Sequence, residues 1–273
     1  MQATGVPDTV ASMPYEAIKY ETEADHVATI TLNRPESLNS FNRVMLDEFR
    51  QVWAEVRTDS EVHTVVVRAE GKAFSAGLDV KDPKARSSAG SSNPFNDLDP
   101  GWYLGPRANR VWKPVICAVH GMAAGGAFYW INESDIVICS EDAQFFDPHV
   151  TYGMTSSLEP IGLRMRIPLG EALRWALMGL DERMSADRAL QIGLVSEVTT
   201  RDALWPRAHE LAAMIAAKPT VATQGTVRAV WESLDVGRST ALQRGLSYIQ
   251  IGNPLGGEQA LRQGAVRPAP RIR

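Results

Sequence analysis

Two short apolar segments that each run into a glycine constrain the fold of this chain more than any other feature. They are residues 72–81 (KAFSAGLDVK) and residues 113–127 (KPVICAVHGMAAGGA). Each indicates a buried strand that ends in a glycine-containing turn, and the second turn opens a helix. Such junctions leave backbone N–H groups without a partner in the chain. Two of these donors aimed at one point can hold a carbonyl oxygen that becomes negative during a reaction, which is an oxyanion hole.

Each of the two turns contains one candidate donor. Leu78 supplies one N–H group and Gly126 the other, and because the requirement is for backbone amides, the side chain of Leu78 is not constrained by this role. Gly125 and Gly126 allow a substrate to approach the backbone closely. Gly126 also lies at a helix N-terminus, where the helix dipole favours negative charge. An ordinary strand–helix turn would explain the second segment alone, but the two segments together favour the oxyanion interpretation.

Further segments, in the same order along the chain, resemble the enoyl-CoA hydratase/isomerase (crotonase) superfamily. They are residues 27–41 (VATITLNRPESLNSF), 135–138 (DIVI), 143–146 (AQFF) and 184–195 (MSADRALQIGLV). The resemblance runs from about Tyr15 to the C-terminus. It implies an α/β fold built as a spiral of ββα repeats, followed by a helical C-terminal region through which the chain assembles as a homotrimer or a dimer of trimers.

The resemblance also implies the chemistry and the ligand. The substrate would be an acyl-CoA thioester, whose enolate the two amides stabilise, and coenzyme A would enter as part of the substrate. Neither a separate cofactor nor a metal ion is expected. Arg34 and Lys81 are candidates to contact the CoA phosphates, as is Lys72, although a solvated surface charge is an equally common explanation for each. The other residues assigned to substrate binding lie in the turns and are Ser37, Leu38, Ala76, Asp79, Val80 and Gly125.

The sequence departs from the family where the hydratases carry two glutamates that hold and activate one water molecule. The first position, three residues after Gly126, is Tyr129, and the second, after residues 144–148, is His149. The paired-glutamate mechanism therefore does not carry over to this chain. His149 can act as a base near neutral pH, and Tyr129 offers an O–H donor. A purely structural role remains the alternative for each.

Two carboxylates are candidates to orient His149. Glu159 lies ten residues beyond His149, and a His149–Glu159 pair would fix the ring tautomer and stabilise the protonated ring. Asp147 is the second candidate, although beside Pro148 it can equally be a turn residue. A histidine in a proline turn resembles the branch of the superfamily that hydrolyses cyclic β-diketones, in which a His–Asp dyad activates water.

Three functions stay open at this point. The first is an acyl-CoA enzyme that hydrates or isomerises a double bond, or carries out another lyase step, with proton transfer through His149. The second is a hydrolase that cleaves a C–C bond of a β-diketone or a β-keto acyl-CoA with a His149/Glu159 dyad. The third is a non-catalytic acyl-CoA-binding module that kept the fold and lost the acid–base pair.

Length and composition set the organisation of the chain. With 273 residues, 44% of them hydrophobic, the chain can bury one large core. We expect a flexible leader over residues 1–14, the spiral core over 15–201 and the helical region over 202–273. Residues 82–100 are rich in Ser, Gly, Pro, Asn and Asp, which predicts a long loop over the pocket.

Charge and composition exclude several classes of protein. The net charge of −4 argues against a nucleic-acid-binding surface. The two cysteines, Cys117 and Cys139, lie in apolar runs, so neither a disulfide framework nor zinc-ligand spacing is present. No apolar run is long enough to span a membrane, and the N-terminal residues lack the pattern of a secretory signal. We therefore expect a cytoplasmic protein.

Overall fold

The computed structural model describes residues 15–86, 99–262, 264, 270 and 272. The expected leader, residues 1–14, lies outside the described residues, as do residues 87–98 of the expected loop. The strands are β1 (Ile18–Thr22), β2 (Val27–Leu32), β3 (Thr64–Ala69), β4 (Ala73–Ser75), β5 (Val115–Val119), β6 (Met122–Ala124), β7 (Ile136–Ser140), β8 (Gln144–Phe146), β9 (Met184–Ser185) and β10 (Glu197–Thr199).

The helices complete the element order. They are α1 (Arg43–Thr58), α2 (Pro83–Arg86), α3 (Gly101–Leu104), α4 (Phe128–Glu133), α5 (Leu158–Leu163), α6 (Leu169–Leu177), α7 (Ala186–Gln191), α8 (Arg201–Ala216), α9 (Thr220–Glu232) and α10 (Arg238–Arg262). Short 3₁₀ turns cover Gly125–Ala127 and His149–Tyr152.

The strands form two sheets that the chain visits alternately. The larger sheet has the order β1-β2-β3-β5-β7-β10 and the smaller one β4-β6-β8-β9. The pairs β3/β4, β5/β6 and β7/β8 each place one strand in each sheet, and helices follow each pair. The sheets are parallel except for the edge pairs β1–β2 and β8–β9. This is the spiral of ββα repeats that the sequence predicts.

The larger sheet is covered on both faces. Strands β2 and β5 are buried along their whole length, as expected for central strands of a parallel sheet with helices on both sides. Helix α1 buries Phe49, Trp53 and Val56 in the main core. On the opposite face, α8 buries Leu204, Ala208, Ala212 and Ala216 against the sheet, and this four-residue spacing keeps one side of the helix on the core. Helix α8 is therefore part of the core.

A buried asparagine fixes the turn that supports the first glycine segment. Asn39 is fully buried, and its side chain donates to the carbonyl oxygens of Glu70 (2.8 Å) and Ala73 (2.9 Å) while accepting from the backbone N–H of Arg34 (2.8 Å). These bonds tie residues 34–40 to the start of β4. Phe41 is thereby placed beside residues 77–79.

The helical C-terminal region is confirmed, and it exposes apolar side chains. Helix α9 is held on the core by Trp231, whose indole N–H donates to Asp135 Oδ1 at 2.7 Å. Helix α10 packs on α9, yet Leu242, Leu246 and Ile249 on α10 are each more than half exposed. In the described part of the chain, no helix combines the length and apolar character needed to cross a bilayer. The trimer or dimer of trimers stays a prediction.

Candidate active site

The first glycine segment presents a backbone amide away from the neighbouring turn. Phe41 donates its N–H to the carbonyl oxygen of Gly77 (2.8 Å) and accepts from the N–H of Asp79 (2.9 Å). In such a parallel bridge the intervening residue, Leu78, directs its own N–H to the opposite side. Gly77 has a φ of +83°, which a residue with a side chain rarely adopts. The turn therefore depends on glycine at this position.

The second glycine segment meets the first one. Gly126 lies in the first turn of the 3₁₀ segment that leads into α4, where an amide has no acceptor within the helix. A Cβ atom added to Gly77 would lie 3.0 Å from the amide nitrogen of Gly126 and 2.8 Å from the carbonyl oxygen of Ala124. A Cβ added to Gly126 would lie 2.5 Å from the ring of Phe41. Two glycines thus bring the amides of Leu78 and Gly126 to the same place.

Leu78 and Gly126 both border one cavity of about 460 Å³. Within the described residues its lining is largely apolar, with a few polar groups at one side. The lining residues are Phe41, Ala76, Leu78, Val80, Pro100, Gly125, Gly126, Tyr129, Pro148, His149, Tyr152, Met154 and Glu159. All five residues assigned to catalysis from the sequence meet here, together with three of those assigned to substrate binding. Pro100, at the end of the expected loop, also lines the cavity.

His149 is oriented by Asp147. Asp147 Oδ1 lies within hydrogen-bond distance of His149 Nδ1 and also accepts the backbone N–H of His149 at 3.0 Å. A carboxylate only accepts, so Nδ1 carries the proton and Nε2 keeps the lone pair. The edge of the ring lies close to the turn that contains Gly125 and Gly126, because a Cβ atom added to Gly125 would be 3.5 Å from His149 Cε1. The expectation that Glu159 pairs with this ring nitrogen is therefore replaced by an Asp147–His149 dyad.

The dyad has the electrostatics of a preformed acid–base pair. The hydrogen bond to Asp147 raises the pKa of His149 against the opposing effect of burial, and the charges of Asp147 and Glu159 raise it further. Burial alone would raise the pKa of Asp147, but hydrogen bonds from His149 and Ser156 lower it overall. Asp147 is fully buried, whereas the His149 side chain is 26% exposed. The charged carboxylate of Asp147 is therefore buried in the protein, whereas His149 lines the cavity.

Tyr129 and Glu159 form the second polar group of the cavity. Burial and the neighbouring carboxylates of Glu159 and Asp99 raise the pKa of Tyr129, so its hydroxyl stays protonated. Burial also raises the pKa of Glu159, which is 6% exposed in the first turn of α5. The side-chain amide of Asn132 fixes that turn by donating to the carbonyl oxygen of Glu159 at 2.8 Å. Both side chains therefore present polar groups to the cavity.

The residues assigned to the CoA moiety divide into two groups. Arg34 donates to Asp79 Oδ2 (3.0 Å) and to the carbonyl oxygen of Ser40 (2.5 Å), and both charged side chains are less than one fifth exposed. This internal ion pair stiffens the turns around the amides, and direct contact of Arg34 and Asp79 with the ligand stays a prediction. Lys81, in contrast, is exposed next to the cavity residue Val80.

The remaining turn residues have structural contacts. The hydroxyl of Ser37 donates to the carbonyl oxygen of Arg34 at 3.1 Å, and Leu38 has a φ of +54° and accepts the N–H of Ala76 at 2.9 Å. Sequence reasoning missed Ser156, which donates to Asp147 Oδ2. Nothing in the sequence predicts a contact between Ser156 and Asp147, which lie nine residues apart. The Asp147-Pro148-His149 order does predict the contact between Asp147 and His149, since Asp side chains commonly accept a hydrogen bond from the N–H two residues on.

Comparisons with known proteins show the family to which the chain belongs. The enoyl-CoA hydratase/isomerase family model matches residues 22–266. The chain is 32% identical over 234 residues to the mitochondrial Delta(3,5)-Delta(2,4)-dienoyl-CoA isomerase of Mus musculus, covering 81% of this chain and 70% of that protein. It is also 32% identical over 230 residues to the (E)-benzylidenesuccinyl-CoA hydratase of Thauera aromatica, covering 84% of this chain and 86% of that one.

A solved structure shares the whole architecture. The crystal structure of an enoyl-CoA hydratase/isomerase from Mycobacterium paratuberculosis matches with a TM-score of 0.80 and 35% identity. The match covers 92% of this chain and 97% of that one. The chain therefore belongs to the enoyl-CoA hydratase/isomerase family and has the crotonase fold.

Proposed function

We propose that this protein moves a proton at the carbon next to the thioester carbonyl of an acyl-CoA, and that its net reaction is the isomerisation of a double bond in an enoyl-CoA. The observation that carries the proposal is the Asp147–His149 dyad, which shares one cavity with the amides of Leu78 and Gly126. Family membership supplies the acyl-CoA substrate.

The thioester oxygen accepts hydrogen bonds from Leu78 and Gly126. His149 Nε2 takes a proton from the adjacent carbon, and the electron pair of that C–H bond forms the enolate, whose charge rests on the held oxygen. Asp147 stays ionised and stabilises the imidazolium. Return of the proton to a carbon farther along the conjugated system moves the double bond. Glu159 lines the same cavity and is the candidate to exchange a proton with a carbon that His149 does not reach.

Isomerisation suits this site better than hydration. Addition of water in this family uses two carboxylates on one water molecule, and Tyr129 and His149 stand at those positions. A double-bond shift needs no water molecule, and a single base can take and return the proton. The similarity to a Delta(3,5)-Delta(2,4)-dienoyl-CoA isomerase supports the same reaction class. The cavity lining favours an apolar acyl group, since its described walls include Phe41, Leu78, Tyr152 and Met154.

The test measures turnover of a panel of 3-enoyl-CoA and 3,5-dienoyl-CoA esters of increasing chain length. Formation of the conjugated product is monitored by its absorbance. The wild-type protein is expected to turn over at least one member, and His149→Ala to lose about 10²–10⁴-fold in rate. His209→Ala is the matched control, because His209 lies on α8 and pairs with Asp25 at the surface. Equal rates for His149→Ala and wild type would refute the assignment of the base.

A second candidate is C–C bond hydrolysis, which the dyad specifically favours because an Asp-oriented histidine can activate water. His149 would take a proton from water, the hydroxide oxygen would bond to the β-keto carbon, and the C–C bond would break. Its electron pair would leave as the thioester enolate held by Leu78 and Gly126, which the imidazolium would then protonate.

The two reactions are separated by their products. Incubation of β-keto acyl-CoA esters in H₂¹⁸O would place the isotope in a released carboxylic acid if the hydrolase reading is right. Labelled acid without any turnover of the enoyl-CoA panel would replace isomerisation by hydrolysis. Tight binding of acyl-CoA with neither product would identify the non-catalytic module.

A further inference from the structure

Ser156 makes a contact that neither the fold nor the family chemistry accounts for. Its hydroxyl lies within hydrogen-bond distance of Asp147 Oδ2, on the opposite side of the carboxylate from His149. A carboxylate only accepts, so the serine is the donor. The three side chains form a chain of hydrogen bonds in the order Ser156, Asp147, His149.

We propose that Ser156 is a positioning residue, which holds the Asp147 carboxylate in the rotamer that orients His149. This inference rests on the function proposed above, since it deepens the account of the same site. Asp147 is fully buried, and a buried carboxylate oxygen without a donor is strongly disfavoured. Oδ1 already accepts both the ring and the backbone N–H of His149. Within the described residues, Ser156 is the donor that satisfies Oδ2.

The order of the contacts excludes a nucleophilic role for this serine. In a Ser-His-Asp triad the hydroxyl bonds to the histidine, which removes its proton. Here the hydroxyl bonds to the carboxylate, whose lowered pKa leaves it a poor base. Ser156 therefore acts on the reaction only through Asp147 and His149.

The segment that ends at Ser156, residues 152–156, also lines the cavity proposed to hold the acyl group. Tyr152 and Met154, just before Ser156, line the cavity, and they are 67% and 48% exposed in this structure. The Ser156–Asp147 bond ties the end of this segment to the buried carboxylate. Loss of the hydroxyl therefore removes the donor to Asp147 Oδ2.

The experiment compares Ser156→Ala, Ser156→Thr and Ser157→Ala. Threonine keeps the hydroxyl, and Ser157 is the matched control because its side chain makes no capping hydrogen bond to α5. The first readout is the His149 Nδ1–H signal in ¹⁵N-edited NMR spectra of the full chain, with the pKa of the ring from a pH titration. We expect Ser156→Ala to release the Asp147 carboxylate from its rotamer, so that the Nδ1–H signal and the pKa of the ring both differ from those of the wild-type protein.

The second readout is the rate with the best enoyl-CoA substrate. Loss of one hydrogen bond to a charged group predicts a fall in kcat of roughly tenfold with KM little changed. Ser156→Thr should recover both the signal and kcat, and Ser157→Ala should match wild type. An unchanged Nδ1–H signal and pKa in Ser156→Ala would overturn the inference. A Ser156→Thr variant as impaired as Ser156→Ala would also overturn the inference, because the hydroxyl would then not be the group that positions Asp147.

The NMR readout separates this inference from the proposed function. If wild-type protein turns over no enoyl-CoA but the His149 signal still responds to Ser156→Ala, the positioning role stands and the isomerase proposal fails. If turnover depends on His149 but the Nδ1–H signal is unchanged in Ser156→Ala, the isomerase proposal stands and the positioning role of Ser156 fails.

Discussion

Replacing Asp147 by Asn is the most informative single perturbation of the site. The side chains are nearly isosteric, so the buried position stays filled. Asn has only one acceptor oxygen, however, so it cannot accept from both the backbone N–H of His149 and the hydroxyl of Ser156 as Asp147 does. The charge that stabilises the imidazolium is lost. The amide of Asn can also donate to Nδ1, which places the ring proton on Nε2 and removes the lone pair that faces the substrate.

The magnitude follows from these two losses. The hydrogen bond to Asp147 is the largest cause of the raised pKa of His149, so that pKa should fall in the variant. Loss of a positioned base costs about 10²–10⁴-fold in rate, which corresponds to about 2.7–5.4 kcal/mol at the transition state. We expect kcat to fall within this range, while the KM for the acyl-CoA stays within a few-fold, because Asp147 does not line the cavity.

The assay is enoyl-CoA isomerisation by Asp147→Asn, with Asp181→Asn as the control at an exposed aspartate. Circular dichroism spectra and thermal melts verify that both variants fold. A folded Asp147→Asn protein with the wild-type kcat and an unchanged pH profile would refute the reasoning, since the dyad would then have no part in the reaction.

Four further predictions follow from the same structure. The rate should rise with pH through an apparent pKa above the ordinary 6.5 of histidine, because the neutral base is the active form and Asp147 raises the pKa of His149; a pH–rate profile with its midpoint below 6.5 would contradict this. Gly126→Ala should lower the melting temperature and abolish turnover, because the new Cβ would lie 2.5 Å from Phe41; a fully active variant would be incompatible with the packed turn. Hydration of crotonyl-CoA should be about 10²–10⁴-fold slower than in a hydratase with both glutamates, and stopped-flow rates that match such an enzyme would contradict the assigned roles. The protein should be a trimer or a dimer of trimers in light scattering, and removal of the residues from Asp235 onward should break the assembly; a monomer at micromolar concentration would contradict this.

The sequence predicts the architecture and the backbone part of the site because both depend on local patterns. Apolar strands that end in glycine turns place Leu78 and Gly126, and their order along the chain indicates the ββα spiral. The aligned positions of Tyr129 and His149 then place both side chains in the cavity with Glu159.

The partners of these side chains depend on long-range geometry that no local pattern contains. Arg34 pairs with Asp79 across 45 residues, and no local pattern indicates this ion pair between two residues that were assigned to substrate binding. Ser156 reaches Asp147 across the 3₁₀ turn His149–Tyr152, which ends at Gly153 in a left-handed conformation. Nδ1 of His149 is paired with Asp147, which accepts the backbone N–H of the same histidine, and not with Glu159.

Exchange of the α-hydrogens of a saturated acyl-CoA with solvent deuterium tests the central claim most directly, because enolate formation is common to every catalytic reading and needs no knowledge of the true substrate. The protein is incubated with butyryl-CoA, hexanoyl-CoA and decanoyl-CoA in D₂O, and deuterium next to the thioester carbonyl is followed by mass spectrometry. We predict incorporation with wild-type protein for at least one chain length and a loss of about 10²–10⁴-fold with His149→Ala. Absence of incorporation despite bound acyl-CoA, or undiminished exchange in His149→Ala, would contradict the account.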